Sequence, residues 1–70
     1  MRNPFIKLTD LHDDTIRINI RHIMAYERRK FRDSSREYTY ILLAGGNALT
    51  REVEETPTVL DQMIADYYNG

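Results

Sequence analysis

Residues Glu37-Tyr38-Thr39-Tyr40-Ile41-Leu42-Leu43-Ala44 constrain this chain more than any other stretch. The run is β-branched and aromatic, a composition that suits a pleated surface. Alternation with a period of two puts Tyr38, Tyr40, Leu42 and Ala44 on one face and Thr39, Ile41 and Leu43 on the other. Both faces are largely apolar, so a strand here needs cover on both sides. The chain has 70 residues, enough for one domain, and only its C-terminal segment carries a helical period. A single helix covers one face of a small sheet. Either the sheet curls onto itself, or another chain buries the second face.

The remaining segments supply the partners of that strand. Phe5-Ile6-Lys7-Leu8-Thr9-Asp10-Leu11 alternates apolar with polar, and Thr15-Ile16-Arg17-Ile18-Asn19-Ile20 does so more cleanly. The polar cluster His12-Asp13-Asp14 between them is too short for anything but an antiparallel hairpin. The chain turns a corner over Asn19 to His22, and a third strand follows from Ile23. Residues 28–36 are polar and basic, with Asp33-Ser34-Ser35 as a turn signal. Gly45-Gly46 predicts a two-residue hairpin turn, because glycine accepts the positive φ that such turns demand. Thr56 then caps a helix with Pro57 at its first position, and Val59, Leu60, Met63, Ile64 and Tyr67 form its apolar stripe. The expected fold is α+β: a small, curled antiparallel β-meander of about five strands with one C-terminal α-helix. The strands are expected over about 5–11, 15–20, 23–29, 37–44 and 47–53, and the helix over about 57–68, all in one domain.

Composition removes several function classes. The chain has no Cys, which excludes disulfides, thiolate metal sites and a cysteine nucleophile, and agrees with a cytoplasmic setting. A net charge of −1 gives no global attraction to nucleic acid or membrane. Uncharged runs are far shorter than a transmembrane helix needs, so no membrane association is expected. Met1-Arg2-Asn3-Pro4 leads straight into a strand-like run, which predicts no signal peptide.

Candidate chemistry is sparse. Asp10, His12, Asp13 and Asp14 offer oxygen and nitrogen ligands without the spacing of a calcium loop, and read as a polar turn. His22 reads as a structural histidine at the corner. Ser34, Ser35, the histidines and the aspartates lack a nucleophile elbow to orient them. Gly45-Gly46-Asn47 lies between strands, where a phosphate loop would need a helix behind it. No catalytic residue, metal or cofactor is assigned, and no enzymatic activity is expected.

Charge distribution is more informative. Arg28, Arg29, Lys30, Arg32 and Arg36 crowd into nine residues with Asp33 as the sole carboxylate, and Phe31 lies among them. Such a stretch is a solvated connection, a contact for an acidic protein surface, or a nucleic-acid or nucleotide site in which Phe31 stacks a base. Tyr and Arg also dominate interface energies. Arg28, Arg29, Lys30, Phe31, Arg32, Arg36, Tyr38 and Tyr40 are therefore the candidate partner-binding residues. Tyr67 and Tyr68 could extend the contact.

The order of motifs resembles the small FlbD-type proteins, a family named for flagellar and swarming motility and also found in phage-like contexts. Ile6-Lys7-Leu8-Thr9 and Leu11 match its opening pattern; Asn19, Ile20 and Ile23 match its corner; Glu27 closes the third strand. Gly45-Gly46 matches its turn, and Val53-Glu54-Glu55-Thr56 its passage into a short helix. The first turn lacks the family's usual Gly, and residues 28–36 are longer and more basic than its pattern. From Ile23 to Ile64 the chain is also similar to the first part of LytTR-type DNA-binding domains. The first resemblance implies an α+β fold without catalytic residues, and a phage- or prophage-encoded accessory or inhibitor protein. Together these readings predict a non-enzymatic module that docks on another protein and forms a homo-oligomer. Nucleic-acid or nucleotide binding by residues 28–36 is the alternative.

Overall fold

A computed structural model of the chain describes residues 2–45 and 49–70. Strands β1 (Phe5–Thr9) and β2 (Thr15–Asn19) pair antiparallel, with Ile6 opposite Ile18 and Leu8 opposite Ile16. Leu8 and Ile18 are buried while Lys7 and Arg17 face solvent, as the alternation requires. The first strand stops short of the expected residue 11 because Asp10 diverts the chain. Its Oδ1 accepts the N–H groups of His12 (2.8 Å) and Asp14 (3.0 Å). Asp13 sits at φ 63°, a left-handed conformation that Asp tolerates.

Ile20 does not prolong β2. The Asn19 side chain accepts from the Arg21 N–H at 2.9 Å and opens a 3-10 turn, Ile20–His22, with Ile20 buried. That turn divides the meander into a two-stranded and a three-stranded ladder. The second ladder holds β3 (Ile23–Lys30), β4 (Glu37–Leu43) and β5 (Leu49–Val53), with β4 at its centre. A register shift between Ile23 and Ala25 leaves Met24 unpaired and exposed. Residues 46–48, with the second glycine of the expected turn and the expected start of the fifth strand, lie outside the described residues.

Helix α1 (Pro57–Asn69) begins where the Thr56 hydroxyl accepts the Val59 N–H at 3.2 Å. Leu60 carries the docking of the helix and is fully buried. Met63, Ile64 and Tyr67 are half-buried along the same stripe. Val59 corrects that stripe: 40% exposed, it lies outside the core.

The ladders join at one corner. Asp10 bridges Val53, the Glu54 N–H donates to the Thr9 carbonyl at 2.8 Å, and the Thr9 N–H donates to both Glu55 carboxylate oxygens at 2.9 and 3.0 Å. At the other end, the Ala44 N–H donates to the His22 carbonyl at 2.7 Å. These links curl the strands around Leu8, Ile18, Ile41, Leu43, Val53 and Leu60. The fold is α+β, with five antiparallel strands in two sheets and a C-terminal helix.

Candidate functional site

The register of β3–β4–β5 sorts their residues without ambiguity. Tyr26 opposes Ile41, Arg28 opposes Thr39, and Thr39 opposes Val53. These positions face the core. Ala25, Glu27 and Arg29 of β3, Tyr38, Tyr40 and Leu42 of β4, and Thr50 and Glu52 of β5 therefore share the opposite, outer face.

The six expected basic-stretch residues divide at this point. Strand β3 runs through Lys30, so Arg28, Arg29 and Lys30 are strand residues, and the connection is only residues 31–36. It is closed by the Phe31 N–H donating to the Arg36 carbonyl at 3.0 Å. Arg28 turns inward. Its guanidinium donates to the Thr39 hydroxyl at 3.1 Å and to the Glu54 carbonyl at 3.4 Å, and lies 3.7 Å from the Glu37 carboxylate. Thr39 is fully buried and donates in turn to the Glu55 carbonyl. Arg28 thus completes the polar corner that joins the ladders.

Arg29 turns outward. Its Nε donates to the Glu27 carboxylate at 2.8 Å, and its guanidinium lies 3.8 Å from the Tyr40 ring centroid, a cation–π contact. Glu27 also holds the Arg29 pKa above its usual range, through the hydrogen bond first. Phe31 and Tyr38 pack with ring centroids 4.9 Å apart, and Arg36 reaches over Phe31 while pairing with Glu54 at 2.9 Å. Arg28, Arg29 and Arg36 accordingly meet Glu37, Glu27 and Glu54. Lys30 and Arg32 are exposed without a salt bridge among the described residues.

The outcome is a striped outer face. Tyr38, Tyr40 and Leu42 form a half-buried ridge, flanked by Glu27 and Arg29 on one side and Thr50 and Glu52 on the other. A shallow groove of about 260 Å³ lies beside the ridge, lined by Ala25, Tyr26, Glu27, Arg29, Tyr40 and Leu42. A second hollow of about 430 Å³ lies at the connection, between Phe31, Arg32, Asp33, Ser34 and Arg36. Glu27, Leu42 and Glu52 were absent from the expected site. Their signal was the alternation itself, once the pairing of Glu27 with Tyr40 and of Tyr40 with Glu52 is known.

Other polar groups have structural partners. Asp10 organises the first turn as described. The Tyr26 hydroxyl donates to Asp61 of α1, and that bond, with burial and the nearby negative charge, pushes the phenol up to about 12. Arg2 donates to the Tyr67 carbonyl, and Tyr67 and Tyr68 meet edge to face at 4.9 Å. Among the described residues, no group of three or more His, Asp or Glu is placed to hold a metal ion. No described helix is long and apolar enough to cross a membrane. Compared with protein-family models, curated proteins and solved structures, the chain matches none of them.

Proposed function

We propose that this chain is a small non-enzymatic module of the cytoplasm that docks on another protein through the outer face of β3–β4–β5. The observation that carries this reading is the Tyr38–Tyr40–Leu42 ridge, held between oppositely charged side chains and left uncovered by α1. Tyrosines offer large, rigid contact area with a polar tip, and a stacked arginine adds a directional cation. Resemblance to the FlbD-type proteins supports an accessory or inhibitor role, in which the module occupies a surface rather than turning over a substrate.

Nucleic-acid or nucleotide binding is the second reading, supported by Lys30, Phe31 and Arg32 around the connection. It draws less support from Arg28, which is engaged with Thr39 and Glu54, and from the carboxylates beside Arg29 and Arg36. Such binding requires cations free to displace counterions from phosphates.

Affinity capture from the native lysate, with and without nuclease, separates the two. Under the docking reading, one protein is retained in both conditions and lost on Tyr40→Asp, while Lys30→Glu has little effect. Recovery only without nuclease, abolished by Lys30→Glu and Arg32→Glu, overturns it in favour of nucleic acid.

A further inference from the structure

The outer face has an internal complementarity that names its occupant. We propose that it pairs with the same face of a second copy of this chain, about a two-fold axis passing between the Tyr38 and Tyr40 rows. This rests on the docking reading above and specifies its partner.

Register supplies the argument. Successive outer-face rows hold Ala25 with Leu42, Glu27 with Tyr40, and Arg29 with Tyr38. Phe31 continues the alternation of β3 and packs on Tyr38, which adds a fourth row. A two-fold axis perpendicular to the strands inverts the order of rows. With the axis between the two tyrosine rows, Glu27 faces the partner's Arg29, and Tyr40 faces the partner's Tyr38. The Ala25–Leu42 row, at one end of the 260 Å³ groove, faces the partner's Phe31. On β3 opposite charges therefore meet, Phe31 meets the Ala25–Leu42 row, and the two ion pairs close into a ring of four charges. Moving the axis onto the Tyr40 row would set Glu27 against its own copy, so charge selects the register.

Size sets the strength. Four rows on β3 and β4, with Thr50 and Glu52 of β5 beside two of them, cover about 300 Å² at ordinary strand spacing. A standard interface uses about 800 Å² per partner, so the expected dimer is weak and concentration-dependent.

Sedimentation velocity of the full chain from about 5 to about 500 µM tests this, a range that brackets a micromolar equilibrium. Wild type should move from monomer to dimer. Glu27→Arg and Arg29→Glu each place like charges across the axis, and each alone should self-associate about tenfold or more weakly. Mixed in equal amounts, they should recover a heterodimer, because one then presents two cations and the other two carboxylates. Circular dichroism of each variant separates lost association from lost fold. A wild type monomeric throughout, single variants that dimerise as wild type does, or a mixture that stays monomeric would each overturn the proposal. If the dimer fails while Tyr40→Asp still releases a captured protein, the docking face stands with a different occupant. If Tyr40→Asp changes neither, both readings fall.

Discussion

The inner and outer faces of β3–β4–β5 are built on the same backbone with the same alternation, yet they do different work. Inside, Thr39, Ile41 and Leu43 are 0%, 0% and 9% exposed, under Leu60 of the helix and beside Val53. Outside, Tyr38, Tyr40 and Leu42 are only half-buried, and their cover comes from side chains of their own sheet. Arg28 and Arg29 show the contrast at single-residue scale. The first bonds a buried threonine and the Glu54 carbonyl at the corner where the ladders meet; the second lies over an aromatic ring in solvent. This small sheet has one core face, and an apolar residue on the other face loses less surface to water on folding.

The largest expected effect tests that division directly. Ile41→Ala should cost about 2–5 kcal/mol in urea unfolding, since it removes buried methylenes and leaves a cavity. Leu42→Ala, its chain neighbour, should cost less than about 1 kcal/mol, because its side chain already meets solvent. Equal losses would break the comparison. Next comes the arginine pair. Arg28→Ala should destabilise by about 1.5 kcal/mol, by removing charged donors from Thr39 and Glu54. Arg29→Ala should leave the unfolding midpoint in place and act on association instead. A smaller effect sharpens the role of the helix as the cover of the inner face. Thr56→Ala removes the acceptor for the Val59 N–H and should cost about 1 kcal/mol, with loss of helical dichroism before loss of strand signal.

The last effect is a pH dependence, absent near neutral pH and confined to alkaline solution. The Tyr26 phenol rises from 10.0 to about 12 in the folded chain, chiefly because it donates to Asp61. The folded state thus holds this proton more tightly than the unfolded state. The stabilisation is fully present below pH 10 and is lost as pH rises from there through about 12. Ultraviolet titration of the tyrosines should show one late phenol, and Asp61→Asn should return it toward the others. An unshifted phenol in wild type would remove this tie between β3 and α1.

Much of the architecture was legible from local pattern. The Ile16, Ile18 alternation, the Thr56-Pro57 start and the antiparallel partners all rest on short-range chemistry: side-chain period, capping hydrogen bonds and short connections. Departures came where a side chain competed for backbone groups, as Asp10 does at the first turn and Asn19 does at the corner. The candidate site was legible in its members and not in its grouping. Arg29, Phe31, Tyr38 and Tyr40 share the outer face, whereas Arg28 belongs to the core corner.

The sequence by itself determined the α+β class, the order of the strands and the two-faced character of β4. Those follow from periods of two and of 3.6 residues, which neighbouring side chains impose. Only the tertiary structure decided which face of β4 is covered and which arginine is drawn into the corner between the ladders. Both depend on contacts between distant segments: Leu60 against the sheet, and Glu54 and Glu55 against Thr9 and Arg28. A local period labels two faces as apolar, but which one a remote helix covers is set by how the chain closes on itself.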